Sequence, residues 1–171
     1  MTDTGDGHLA LRPVQGSDLD GLFAQVSDPE SVAMAAFTSD SHSDRAAFDA
    51  WMARLLTSPD ITVRAITVDG ELVGSIASFV VEEQTEVSYW IERTQWGRGI
   101  ASRALALFVQ QIPVRPLYAR AARDNIASLR VMEKVGFRPV GTEISFATAR
   151  GTEIEETILR LGPESPATVD A

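Results

Sequence analysis

The order and patterning of the segments predict a mixed α/β fold. Seven runs read as strands, four read as helices, and one β-α-β-α passage in the second half carries a turn with two glycines, Gly97 and Gly99. At 171 residues and 44% hydrophobic composition the chain suits one domain with a substantial core.

Residues 9–14 open the chain as a strand, closed by Pro13 and Gly16. Ser17 or Asp18 is placed to cap a helix, because a short side-chain oxygen there accepts a free N–H. Leu19, Leu22, Phe23 and Val26 then recur at i, i+3, i+4 and i+7, a helical stripe. Residues 27–43 read as polar and irregular, with Met34 and Phe37 embedded in them. A second helix is expected over 44–56, with Phe48, Trp51, Met52 and Leu55 on one side and Pro59 beyond its end.

Residues 61–68 form a run rich in β-branched residues, and Asp69-Gly70 is a two-residue hairpin signal. Residues 71–81 return as a long strand in which Gly74 suits a bulge. Strand 85–91 leads into the glycine turn and a helix over 101–111, which carries Ala101, Ala104, Leu105 and Phe108 and ends before Pro113 and Pro116. A short strand, 117–122, precedes a helix over 125–135 with Asn125 as cap and Gly136 as stop. Residues 137–147 and 152–161 make a last hairpin across Arg150-Gly151. The organisation expected is a disordered head over 1–7, a single domain over 8–162 and a disordered tail over 163–171.

The turn is the chemically informative stretch. Glycine lets the backbone approach a ligand and take positive φ, and a helix N-terminus supplies free N–H groups at the positive end of a dipole. Together they suit an anion, phosphate above all. Between Arg93 and Arg138 nine basic residues stand against Asp124 and Glu133, net +7, in a chain whose total is −9; the remainder therefore carries −16. A basic island in an acidic protein points to a polyanionic ligand of limited size. The turn is neither a Walker A loop, which needs Gly-Lys-Ser/Thr, nor the dinucleotide fingerprint Gly-x-Gly-x-x-Gly.

Composition excludes several classes. Without cysteine there are no disulfides, thiolate metal sites or cysteine nucleophile. His8 and His42 read as surface residues, and no metal is expected. The acidic balance argues against nucleic acid, the absence of a long apolar run against a membrane span, and the polar N-terminus reads as that of a cytoplasmic protein.

Trp96-Gly97-Arg98-Gly99-Ile100-Ala101 resembles the acetyl-CoA motif Gln/Arg-x-x-Gly-x-Gly/Ala of the GNAT-type N-acetyltransferases, with Trp in the first position. Residues 125–137, from Asn125 and Ser128 through Glu133-Lys134-Val135-Gly136-Phe137, resemble the Asn-x-x-Ser … Glu-Lys-x-Gly-Phe helix of the RimJ/RimL-like branch. The resemblance spans residues 9–161. It implies a central, mostly antiparallel, twisted sheet of about seven strands with four helices, splayed in the middle. It also implies acetyl-CoA as cosubstrate, a primary amine as acceptor (a protein N-terminus or a small molecule), direct transfer in a ternary complex, and an exposed sheet edge that would suit a homodimer. A non-catalytic acyl-CoA sensor, or transfer of another acyl group such as succinyl, are the alternatives.

Carried onto this chain, the resemblance implies that Gly97, Arg98, Gly99, Ile100, Ala101 and Ser102 cradle the pyrophosphate beside Trp96. Tyr89, Trp90 and Ile91 line the pantetheine arm, Arg130 joins the cofactor residues, and Met34, Phe37 and Trp51 stand on the acceptor side; Ser102-Arg103 departs from the Thr-Glu often found in the branch, and Arg103 either adds charge toward the 3′-phosphate or faces solvent. Glu86 is the expected base, the alternative being a solvated edge carboxylate; Glu92 and Glu143 are held in reserve. Met132 occupies the helix position where many relatives carry a tyrosine acid, so Ser128 and Asn125 are expected near the sulfur, the alternatives being a packing residue and a helix cap. For Trp51 the alternative is core packing.

Overall fold

The computed structural model describes residues 7–37 and 44–163; residues 1–6 of the head expected over 1–7, residues 164–171 of the tail expected over 163–171, and His42 lie outside the described residues. One seven-stranded sheet runs in the order β1-β2-β3-β4-β5-β7-β6. The strands are β1 Leu9–Arg12, β2 Thr62–Val68, β3 Glu71–Val81, β4 Gln84–Ile91, β5 Leu117–Ala122, β6 Arg138–Ala147 and β7 Thr152–Leu161. All neighbours are antiparallel except β4 and β5.

Among the described residues five α-helices cover the sheet: α1 Leu19–Val26, α2 Pro29–Ala35, α3 Arg45–Thr57, α4 Ile100–Gln111 and α5 Ile126–Val135. Four were expected, and α2 corrects the reading of 27–43 as irregular. Its signals are local rather than periodic: Asp28 accepts the Ser31 N–H at 3.0 Å and Pro29 stands at the first position. Asp44 caps α3 in the same way through the Ala47 N–H, at 2.8 Å. Asp18 does not cap α1. Its carboxylate accepts instead from the Gln15 N–H at 2.7 Å and from both terminal nitrogens of Arg12, at 2.7 and 2.8 Å.

Strand alternation divides the core. Ile66, Ile76, Val87, Ile91, Leu117 and Leu159 pack with Leu105, Phe108 and Phe137 on the α4/α5 side. On the other side Leu22, Phe48 and Met52 pack with Phe23, Trp51 and Leu72 beneath α1 and α3. In this cluster the Phe23 and Phe48 rings stand 5.3 Å apart, and those of Phe48 and Trp51 6.0 Å apart.

The bulge expected at Gly74 falls one residue earlier. Ile66 pairs with Gly74 and Thr67 with Leu72, which leaves Val73 as the extra residue. Gly74 has its own reason to be glycine: a Cβ there would lie 2.1 Å from the carbonyl oxygen of Trp90. β4 and β3 thus approach closely where β4 turns toward the glycine loop.

Candidate active site

The sheet opens between β4 and β5. Their parallel pairing comprises Thr85–Leu117 and Glu86–Tyr118, at the start of both strands. Past that point a cavity of about 310 Å³ fills the gap on the α4/α5 side. Tyr89, Trp90 and Ile91 line it from β4, the glycine turn and first residues of α4 from one end, Asn125, Ala127, Ser128 and Val131 from α5, and Ser31, Met34 and Ala35 from α2.

Gly97 and Gly99 hold φ of 78° and 74°, a left-handed conformation that disfavours any side chain. A Cβ at either position would meet nothing within 4 Å, so the glycines answer to backbone conformation and leave open space. Gly99 is the N-cap of α4 and offers no side-chain cap, and the first helical bond is Arg103 N–H to the Gly99 carbonyl at 3.2 Å. The amides of Ile100, Ala101 and Ser102 therefore have no acceptor within the helix. Trp96, in the unusual first motif position, ties this turn to β4: its indole N–H donates to the Ile91 carbonyl at 2.9 Å.

The basic island does not survive folding as a unit. Arg93 pairs with Asp28 at 3.0 Å, and Arg123 with Glu155 at 2.7 Å. Arg115 donates to the carbonyls of Val109, Ile112 and Val114 at the end of α4, and Arg138 to those of Glu133 and Phe137. Arg103 donates to the Gly7 carbonyl at 2.9 Å and Arg98 to the Gln95 side chain at 2.5 Å. Arg98, Arg103 and Arg130 do not line the cavity, and Arg130 is exposed on α5.

Asn125 and Ser128 stand at the opening. Asn125 caps α5, its Oδ1 accepting the Ser128 N–H at 3.2 Å, while its Nδ2 donates to the Met34 carbonyl of α2 at 3.4 Å. Cap and site lining are thus one residue. The Ser128 hydroxyl meets the Tyr89 hydroxyl at 2.6 Å. Burial pushes the Tyr89 phenol up, the bond to Ser128 opposing it in part. The sequence reading placed Tyr89 only beside the pantetheine arm; its position on the same β4 face as Val87 and Ile91, toward α5, is the signal for its contact with Ser128.

A second cavity, about 510 Å³, lies on the α1/α3 side and shares Ala35, Tyr89, Trp90, Asn125 and Ser128 with the first. Phe37 and Trp51 line it, whereas Met34 lies in the first cavity alone. Trp90 fixes its wall through an indole N–H donated to the Gln25 carbonyl at 2.9 Å. Glu86 is neither solvated nor free: it is 7% exposed and accepts from Arg120 Nε at 3.0 Å. Arg120 reaches on to Glu143 at 2.7 Å and lies 3.6 Å from Glu156, all four side chains on one sheet face across β4, β5, β6 and β7. The surrounding carboxylates, Glu143 foremost, raise Arg120 above its ordinary range. Burial holds Glu156 above the usual carboxylate range, despite the nearby Arg120.

A splayed sheet with two cavities meeting at its opening, one of them against a bare helix N-terminus, has the form of a two-substrate transferase. Residues 8–138 match the family described as Acetyltransferase (GNAT) domain, and the chain belongs to that family. Comparison with curated proteins gives no match. Among solved structures the fold is similar to that of Mycobacterium smegmatis RimJ in complex with CoA-disulfide (TM-score 0.77, 19% identity, 91% of this chain and 82% of that one). It is also similar to the spermidine N-acetyltransferase of Vibrio cholerae in complex with CoA and spermine (TM-score 0.79, 14% identity, 90% and 94% covered). RimL, the ribosomal L7/L12 α-N-protein acetyltransferase, in complex with coenzyme A, matches at TM-score 0.75 and 17% identity over 90% and 93%.

Proposed function

We propose that the protein moves the acetyl group of acetyl-CoA directly to a primary amine in a ternary complex. The observation that carries this reading is that two cavities on opposite sheet faces meet at Tyr89, Asn125 and Ser128. A donor and an acceptor can approach that point from opposite sides and be held in line without a covalent enzyme intermediate. The CoA-bound relatives support the choice of donor.

The residues present fit that donor. The amides of Ile100, Ala101 and Ser102, with open space over Gly97 and Gly99, suit a pyrophosphate. Arg98 and Arg130 stand near enough in sequence to the turn and α5 to add charge once the pyrophosphate is in place. Tyr89, Trp90 and Ile91 suit the pantetheine arm, and a backbone N–H of Trp90 or Ile91 suits the thioester oxygen. As the N–C bond forms and the C–S bond breaks, the Ser128 hydroxyl donates to the leaving sulfur and is resupplied by the Tyr89 phenol. The proton lost by the amine goes to the carboxylate group around Arg120, to which Glu86 belongs.

Calorimetric titration with acetyl-CoA, against ATP as a control lacking the pantetheine arm, tests the donor. An amine panel monitored by released thiol tests the transfer. One-to-one binding that needs the arm, followed by amine-dependent thiol release, is the expected result; equal binding of ATP, or its absence altogether, removes the reading.

A further inference from the structure

The second cavity narrows the amine. Its walls are mostly apolar, with Phe37, Trp51, Met52, Leu55 and Phe79 prominent, and its charged lining residues are Glu86, Arg120 and Glu156, a formal charge of −1. These three do not share that charge evenly. Arg120 donates from Nε to Glu86 at 3.0 Å and from Nη1 to Glu143 at 2.7 Å. Glu156 lies 3.6 Å from the same Nη1, an ion pair outside hydrogen-bond distance. Glu143 is half exposed on β6, opposite Glu156, and does not line the cavity. Arg120 therefore holds Glu86 and Glu143 by short bonds and Glu156 by a longer ion pair, so Glu156, 9% exposed, is the least tightly held of the three carboxylates and keeps lone pairs for a ligand.

Resting on the acetyl-transfer reading, we propose that the acceptor is a small, singly charged amine on an aromatic or branched apolar body, with its ammonium received by Glu156 and its body against Phe79 and Trp51. One ammonium matches the lining charge of −1 and the one carboxylate that Arg120 holds only by a long ion pair. A second ammonium, as in a polyamine, would lie against apolar walls with no further carboxylate among the described lining residues to meet it, and an unpaired charge there is penalised. A ligand anion would face the net negative charge. The cavity volume, about 510 Å³, falls within the range of sites that enclose small molecules. The raised proton affinity that burial gives Glu156 fits the same picture, because an incoming cation relieves the cost of its charge.

The test is a kinetic panel on the full chain with saturating acetyl-CoA: 2-phenylethylamine, tryptamine, isoamylamine, spermidine, and a hexapeptide with an apolar N-terminal residue. The expected result is a kcat/KM for the aromatic amines at least tenfold above that for spermidine and the peptide. Glu156→Gln should raise the amine KM at least tenfold and leave the acetyl-CoA Kd unchanged. Ser75→Asp, which adds a carboxylate to the same cavity, should shift the spermidine-to-phenylethylamine ratio at least tenfold toward spermidine and serves if Glu156→Gln fails to fold. Preference for spermidine or the peptide, or an unchanged amine KM in Glu156→Gln, overturns the acceptor assignment alone; acetyl-CoA binding without turnover of any amine overturns the transfer reading as well and leaves a CoA-binding module. Failure of the wild-type chain to bind acetyl-CoA overturns the transferase reading with it.

Discussion

The Tyr89 hydroxyl lies 2.6 Å from the Ser128 hydroxyl, a bond that joins β4 to α5 across the opening of the sheet. It sets two hydroxyls in series, one a partly buried phenol and the other a small alcohol, both on the wall common to the two cavities. Tyr89→Phe and Ser128→Ala should each lower kcat by roughly a hundredfold, the lower end of the range of general acid catalysis, with the acetyl-CoA Kd little changed. Steady-state kinetics beside calorimetry checks the split.

The same phenol has a pH signature. Its proton affinity is raised on folding, so the stability it contributes is complete below the unfolded value of about 10 and is lost as pH rises through the higher folded value. Thermal melts from pH 8 to 11 should show wild type losing stability relative to Tyr89→Phe above about pH 10.

Arg12 and Asp18 give the opposite sign. The hydrogen bonds from Arg12, foremost, hold the Asp18 carboxyl below its ordinary range. The stability it contributes is therefore complete above the unfolded value of about 3.9 and is lost as pH falls through the lower folded value. Asp18 is 4% exposed, so Asp18→Asn should cost about 2–3 kcal/mol at pH 7, the worth of charge-assisted bonds in a buried place. The gap should close below pH 4 in urea titrations.

Glycine substitutions separate scaffold from site. Gly74→Ala drives a methyl against the Trp90 carbonyl and should destabilise by at least about 2 kcal/mol. Gly97→Ala and Gly99→Ala meet open space and face the φ penalty alone, about 1–2 kcal/mol each. Melting should rank Gly74→Ala lowest, and acetyl-CoA binding should fall most in Gly99→Ala, where the helix amides begin.

Much of this architecture is legible in the residues. Alternation in β4 separates Glu86 and Trp90 from Val87, Tyr89 and Ile91, and the two faces do meet different helices. Gly97, Gly99 and Asn125 mark a turn and a cap that exist as local conformations. Helix α2 escapes because seven residues are too few to show a period, although Asp28-Pro29 announces its start. The arginines mislead for a related reason. Charge counted along the chain ignores acids that folding delivers from elsewhere: Asp28 to Arg93, Glu86 to Arg120 and Glu155 to Arg123. The Tyr89–Ser128 contact spans 39 residues and exists only because β4 and α5 face one gap.

The brief pairing of β4 with β5 makes the sheet two leaves bound along one corner. Backbone bonds close the seam near Glu86 and Tyr118, and further along it side chains and helices hold the leaves together. A pantetheine chain lying in the gap would serve as a keystone. Stability conferred by such a guest grows with its supply, about 2.7 kcal/mol at a hundred times its Kd. The lifetime of the folded chain would then follow the abundance of coenzyme A, free or acetylated, and a shortage of it would thin the enzyme before it slowed the chemistry.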